Sequence, residues 1–439
     1  FTPFEWDVNL VGADAFIENN YAFFERTHFP EVLRQLSNEI VLRPDVTDDT
    51  EIAADQLVVD FYREPRSRFL AVASSVTGPS ALVQLPGQQS IGLLTRARAM
   101  ITQPRIPANL NYYKLDTLSI ATALELEPTM FATMAWNELG LHYGKLFETY
   151  DGQFAIGANL KFLSGYEAAY IRSNTALEVK KLPNDSVQLN NLSLAYGFTN
   201  GNTSGNEEGL QRNGRGVGAD IGISFTIDGY EDTYRWRFGL AIRDIGFIAF
   251  NRNAEAYELI VGDIVELSVE DYEQYDSIEQ LDEAIANFNA DVLANTLQNN
   301  IMRTGFRVAL PTTFSLQADY GLNEYIYFNA HYVHPLAVGD IPLQRNSLLA
   351  FTPRFEHRWF GAALPLSTYN WQDFRVGIAM RLAFLTIGSD NLGSIVRRSD
   401  FTGTDVYMAL KINPFQTNWG GKYKGKRKRG KVVCPPISR

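Results

Sequence analysis

Val217-Gly218-Ala219-Asp220-Ile221-Gly222-Ile223-Ser224-Phe225-Thr226-Ile227-Asp228 alternates without a slip. Val217, Ala219, Ile221, Ile223, Phe225 and Ile227 share one face; the glycines, Asp220, Ser224, Thr226 and Asp228 share the other. A period of two with one apolar and one polar face is the pattern of a β-strand. The pattern returns elsewhere. Phe154–Phe162 sets Phe154, Ile156, Ala158, Leu160 and Phe162 against Ala155, Gly157, Asn159 and Lys161. Tyr234–Ile242 and Phe374–Leu382 repeat it, and residues 349–359 place Leu349, Phe351 and Phe355 opposite Thr352, Arg354 and Glu356. These runs match the roughly 9–11 residues with which a tilted strand crosses a bilayer.

Composition agrees with an all-β membrane chain. Of 439 residues, 45% are hydrophobic and 13% aromatic. Yet the mean hydropathy of −0.16 is too low for a bundle of spanning helices. The uncharged stretch Phe69–Leu94 is broken by Gly78-Pro79 and Pro86-Gly87, so it does not span as a helix. Tyr150-Asp151 before Gly152 signals a tight hairpin, whereas Thr199–Gly216 is a long Asn/Gly-rich loop. Short turns at one end and long loops at the other describe an outer-membrane barrel. Small residues on the polar faces, and aromatics near strand ends, favour the same reading over a soluble sandwich. The aromatics are Tyr143, Phe147, Tyr150, Tyr234, Trp236, Trp359, Phe360, Tyr369 and Trp371, expected as an interfacial girdle.

Two segments break the rhythm. Pro30–Leu42 reads as a helix with Val32, Leu33, Leu36 and Ile40 on one face. Ser277–Leu297 reads as a second, with Ile278, Leu281, Ile285, Phe288 and Val292 in a stripe. It lies inside an acidic insertion, residues 251–300, which holds twelve acids and one Arg. Counting strands puts that insertion outside the cell. The overall charge of −11 also hides a basic tail. Residues 421–439 carry +8, leaving −19 on the remainder, so a uniformly basic nucleic-acid binder is excluded. Lys422, Lys424, Lys426, Arg427, Lys428, Arg429 and Lys431 are candidate contacts to an acidic partner or an anionic envelope polymer. The domains expected are a barrel over 1–413, including the insertion, and the tail over 414–439.

If the apolar faces meet lipid, the charged faces point into the lumen. Arg96, Arg98, Lys161, Asp220, Arg235 and Arg237 are then candidate lumen residues. So are Asp319, Arg354, Glu356, Arg375 and Arg381. Mixed signs beside small residues suit an ion-paired filling that stiffens the barrel, in preference to an open polar pathway.

Reaction chemistry is not legible. The five His lack ligand spacing; His331 and His334 are three apart in a strand and face opposite ways. Asp45, Asp48, Asp49 and Glu51 lack the order of a calcium loop and read as a solvated acidic loop. The single cysteine, Cys434, excludes an internal disulfide framework. No catalytic residue, metal site or cofactor is expected. The opening Phe1-Thr2-Pro3 has no Met or basic n-region and reads as a mature exported form after signal-peptide removal.

Several phrases carry a resemblance. They are Gly78-Pro79-Ser80, then Ser90-Ile91-Gly92-Leu93, Arg96-Ala97-Arg98 and Asn137-Glu138-Leu139-Gly140-Leu141-His142-Tyr143. Gly157-Ala158-Asn159-Leu160-Lys161-Phe162, Gly218-Ala219-Asp220-Ile221-Gly222, Asp244-Ile245-Gly246 and Gly388-Ser389-Asp390-Asn391-Leu392 follow. In this order, from about residue 4 to 413, the chain resembles an uncharacterised family of Bacteroidota outer-membrane barrels. That family looks like a relative of long-chain fatty-acid porins and of barrel subunits around type IX secretion. The resemblance implies about 14 antiparallel transmembrane strands (range 12–16) in the outer membrane, short helices in loops, a periplasmic N-terminus and no enzyme activity.

The reading taken forward is a non-enzymatic barrel acting as subunit or scaffold of an outer-membrane assembly, its partners the bilayer and other envelope proteins. The alternative is a transporter of hydrophobic small molecules, with a lipid- or detergent-like ligand in its lumen. The second alternative is a soluble secreted β-protein that binds glycans.

Overall fold

The computed structural model describes residues 6–412 apart from 36, 37, 39, 44–52, 54, 55, 63, 65, 108–118, 185, 203–209, 230–233, 262, 263, 269, 270, 272–286, 289, 292–299, 358 and 373. Fourteen antiparallel strands close into a barrel. In chain order they begin with β1 (Trp6–Asn19), β2 (Arg68–Thr77 continued by Ser80–Leu85), β3 (Gln89–Ile106), β4 (Met130–Thr149) and β5 (Gly152–Ser173). β6 (Gly214–Asp228), β7 (Tyr234–Phe250), β8 (Thr313–Gly321), β9 (Ile326–Pro335) and β10 (Leu348–Glu356) follow. The circuit ends with β11 (Phe360–Ala363 and Leu366–Tyr369), β12 (Phe374–Val376 and Ile378–Leu382), β13 (Leu385–Ser389) and β14 (Gly403–Ile412). β14 pairs back onto β1, from Val8 against Ile412 to Glu18 against Gly403, which closes the barrel on itself.

Alternation decides what faces out. Val217, Ile221 and Ile223 on β6 are 52%, 53% and 41% exposed, and Leu139 and Leu141 on β4 are exposed likewise. The same holds on the far side for Leu349, Phe351, Met380 and Met408. An apolar belt around a closed sheet is the surface of a barrel that meets hydrocarbon, not of a soluble sandwich. Of the expected girdle, Tyr143, Phe147, Tyr150, Trp236, Trp359 and Trp371 are exposed. Tyr369 is 7% exposed and packs against Phe16 in a tilted pair with ring centres 5.3 Å apart, and the Tyr234 hydroxyl accepts from Arg354 at 2.7 Å. Both lie inside: where partners exist for the hydroxyl or ring, the lumen takes the aromatic.

The six turns at the end that carries both termini have two to five residues, and Thr149 pairs with Gly152 across the expected hairpin. The seven connections at the other end include every long one. The wall is uneven there. β3, β4 and β5 have 18, 20 and 22 residues, whereas β8 and β10 have 9 each. The tall side continues into a separate sheet of Val265–Ser268, Ser186–Asn190, Leu177–Lys181 and Ala123–Leu126. Val187, Leu189 and Val265 of this sheet pack with Tyr196 and Leu259 of the strands Leu192–Thr199 and Ala254–Val261, which extend the barrel wall, and Phe288 of the acidic insertion packs against them. Of the helix expected over 277–297, only 287, 288, 290 and 291 are described, and these are helical. The basic tail, Cys434 and Asp45, Asp48, Asp49 and Glu51 lie outside the described residues.

Over β1 and β14 sits a second small sheet of Ser399–Phe401, Ala22–Thr27, Leu57–Phe61 and Ile40–Leu42, with α1 (Phe29–Gln35) beside it. Val32, Leu57 and Phe401 make its core. The helix is shorter than the expected Pro30–Leu42, because Ile40, Val41 and Leu42 pair in parallel with Leu57, Val58 and Val59. Three consecutive β-branched or aliphatic residues beside a strand are better used in a ladder than in a last helical turn. The second described helix, α2 (Leu392–Val396), is capped by Asn391, whose side chain accepts from the Ser394 N–H.

Candidate functional site

β7 carries an irregularity that builds the interior. Ala219 pairs with Ile245, and Ile221 with Ile242, so Arg243 and Asp244 together oppose the single residue Asp220. This is a β-bulge. Asp244 takes φ 57, in the left-handed region, and Gly246 takes φ 146. Side chains satisfy the backbone of the bulge: the Asp244 N–H donates to Asp220 Oδ1 at 2.7 Å, and Thr312 Oγ1 donates to the Asp244 carbonyl at 2.8 Å. Before the bulge the even positions Trp236, Phe238 and Leu240 are exposed. After it the even positions Ile248 and Phe250 are fully buried. The strand has changed parity.

The bulge delivers Asp244 to a buried charge lattice. Lys161 Nζ lies 2.6 Å from both Asp220 Oδ1 and Asp244 Oδ1. Arg98 Nη1 lies 3.0 Å from Asp244 Oδ1 and 2.8 Å from Glu138 Oε1. Trp136 Nε1 donates to the same Glu138 oxygen at 2.8 Å, and the Arg98 guanidinium stacks 4.7 Å from its ring centre. Arg96 Nε is 3.9 Å from Glu138 Oε2.

The connection between β9 and β10, residues 336–347, folds inward across the lumen. The Ala309 N–H donates to the Ile341 carbonyl at 2.9 Å, and the Leu343 N–H to the Ala309 carbonyl at 3.2 Å. Thr102 Oγ1 on β3 donates to the Gln344 carbonyl at 3.0 Å. Arg172 on β5 donates to the Asp340 carbonyl, and Asn346 donates to Glu18 on β1 at 3.1 Å. The loop thus touches opposite walls. Ile341 and Leu343 bury against Ile248, Phe250, Val308 and Leu310, an apolar core inside one half of the barrel.

Between this loop and the lattice lies a chamber of about 510 Å³. One side presents Arg96, Arg98, Lys161, Arg243 and Arg345. The side formed by β13, β14 and β1 presents Asp14, Asp390 and Asp405, with Tyr369 and Tyr407. Ser75 donates to Asp14. Phe16, Ala71, Ala73, Met100, Val333 and Leu348 supply apolar surface between the poles.

The candidate lumen residues fall into separate groups. Arg96, Arg98, Lys161 and Asp220 meet in the lattice. Asp319, Arg354 and Glu356 form a second group nearer the termini: Arg354 is 2.8 Å from Asp319 and 2.6 Å from Glu356. Arg237 stands beside it, 4.1 Å over the Tyr234 ring. Arg375 pairs with Glu18 at 3.0 Å, and Arg381 donates to the His357 carbonyl at 2.7 Å. Arg235 is exposed at the end of β7 and joins none of them. Sequence reasoning passed over Glu138, Asp244, Arg243 and Arg345. Glu138 had a signal, since it alternates with Leu139 and Leu141. Asp244 did not, because an unbroken pleat turns it toward lipid.

A family model described as a family of unknown function (DUF5723) matches residues 56–390. The chain belongs to that family. No curated protein matches it. Among solved structures, this member of the family is similar to the P. putida toluene transporter TodX, at 9% identity over 94% of this chain and 91% of that one, with a TM-score of 0.40. A TodX deltaS2S3 mutant, a monoaromatic hydrocarbon channel, gives 10% identity, the same coverage and 0.41. A Pseudomonas aeruginosa FadL homologue gives 10%, 92%, 88% and 0.20 in the same order. Likenesses this distant carry nothing about cargo.

Proposed function

We propose that this barrel is a passage for small solutes across the outer membrane, occluded at rest by its own loop 336–347. The observation that carries the reading is the chamber of about 510 Å³ that lies between Arg345 and Asn346 of that loop and the charge lattice. It falls within the roughly 300–1,000 Å³ common for small-molecule sites. A barrel serving only as a scaffold has no use for such a space, and packing tends to fill it. The chamber is lined by ten Asp, Lys and Arg side chains, of which Asp390 and Asp405 are hydrogen-bonded to each other; this favours a solute with polar groups over a pure hydrocarbon.

The scaffold reading rests on the lumen-facing ion pairs, which are compatible with a chamber beside them, and on the acidic insertion and the basic tail, most of whose residues lie outside the described ones. The Bacteroidota origin, the kinship with type IX secretion subunits and the placement of residues 251–300 on the cell exterior belong to this proposal and not to the fold.

The test is solute flux into proteoliposomes holding the purified full-length chain. The unaltered barrel should pass small solutes slowly. A variant in which residues 338–344 are replaced by a short Gly/Ser linker should pass them several-fold faster. Equal, negligible flux for both, together with stoichiometric co-purification of another envelope protein, would overturn the passage and favour the scaffold.

A further inference from the structure

The charges on the cationic side do not balance. Glu138, Asp220 and Asp244 are the carboxylates there, and they are engaged by Arg98 and Lys161 at 2.6–3.0 Å. Arg96 touches the lattice only at 3.9 Å. Arg243 and Arg345 have no ion pair and donate no side-chain hydrogen bond among the described residues. Arg345 lines the chamber and is exposed there. It is held there by the loop contacts of Gln344 and Asn346 on either side of it. The like charges of Arg98, Arg243 and Arg96 act on it, against the single opposite charge of Asp244.

Crowding guanidinium groups without partners is unfavourable, and a structural ion lattice avoids it. An anion placed among them removes the repulsion and supplies acceptors for their donors. The planar fork of arginine suits a carboxylate in two-point contact. We propose that the chamber binds a small organic acid, its carboxylate held by Arg345 with Arg96 and Arg243 beside it. The body of the ligand then lies over Phe16, Ala73, Met100 and Val333. Its far end meets Asp14 and the hydrogen-bonded carboxyl pair Asp390–Asp405, which disfavour a second anionic group and accept from a hydroxyl or ammonium. The site therefore selects monocarboxylates over dicarboxylates and over inorganic phosphate.

The inference deepens the passage reading, but binding and flux are measured separately. Calorimetry on the full-length chain in detergent uses benzoate, benzamide, phthalate and inorganic phosphate as probes. Benzoate should bind, and benzamide, phthalate and phosphate should bind at least about tenfold more weakly. Arg345→Gln and, separately, Arg243→Gln should each weaken benzoate about tenfold or more while the barrel keeps its β-sheet circular dichroism. Equal binding of benzoate and benzamide, or benzoate affinity unchanged in both variants, overturns the anion site. Phosphate binding as tight as benzoate overturns the organic-acid assignment. Flux of uncharged solutes with no preference for benzoate leaves the passage standing without the site; benzoate binding without flux of any solute does the reverse.

Discussion

Lys161 on β5 and Asp244 on β7 meet at 2.6 Å although β6 lies between their strands. The contact is possible because the bulge turns Asp244 inward and Asp220 of the intervening strand holds its backbone N–H. Asp244→Asn should therefore remove a charge that serves two buried cations. Breaking such a group by removing one partner costs about 3–5 kcal/mol. The urea midpoint of the folded barrel, followed by heat-modifiable gel mobility, should fall. Replacing Lys161 by Met in the Asp244→Asn background should recover part of the loss, since one of the stranded charges goes with it.

Gly246 completes the bulge. A Cβ there would lie 2.2 Å from the Val217 carbonyl oxygen, at a φ that side chains rarely adopt. Gly239 on the same strand has no comparable neighbour; its Cβ would meet Gln317 Cβ at 3.7 Å. Gly246→Ala should lower the unfolding midpoint sharply and disperse the amide spectrum around 218–220 and 244–246. Gly239→Ala should stay within about 0.5 kcal/mol of the parent.

Ile221 and Asp220 are neighbours with opposite surroundings. Ile221 is 53% exposed on the outer face, and Asp220 binds Lys161 inside. An Ile221→Arg variant should lose about 2–4 kcal/mol when folded into lipid vesicles, the penalty of a cation near the hydrocarbon midplane. In a soluble detergent-free β-protein the same change on an exposed residue would be almost neutral. Folding titrations in vesicles separate the two outcomes.

The small sheet over β1 and β14 has its own pH dependence. Glu25 is held below the ordinary carboxylate range, first by its hydrogen bonds from Arg43 and then by that cation's charge. A depressed carboxylate contributes stability that is complete above its unfolded pKa and is lost as pH falls through the folded value. Protection of residues 22–27 and 57–61 in hydrogen exchange should therefore decline below pH ~4. A Glu25→Gln variant should show the lower protection already at neutral pH and little further change on acidification.

The barrel was largely legible in the sequence because its signal is a period of two repeated along the chain. Lipid-facing Val217, Ile221 and Ile223 can be read with no knowledge of their partners. The interior was legible only where a strand keeps its pleat, as for Arg98, Lys161 and Asp220. Asp244 was hidden because parity fails at a bulge, and a bulge depends on register with β6, not on local composition. Arg345 was hidden because nothing in Asp340–Asn346 says that a loop bends into the lumen. Its apolar anchors, Ile341 and Leu343, are too few to form a pattern. The charges expected as one network fall apart along the barrel axis, since alternation reports the side a residue faces and not its height.

A regular strand offers the lumen every second residue and gives the others to the membrane. At Arg243-Asp244 the barrel shows the lumen two consecutive residues of opposite sign. One is spent on Lys161 and Arg98, and the other has no ion pair among the described residues at the chamber wall. A single irregular step thus lets adjacent codons address wall and chamber separately: Arg243 can be replaced without disturbing the aspartate that holds the wall together.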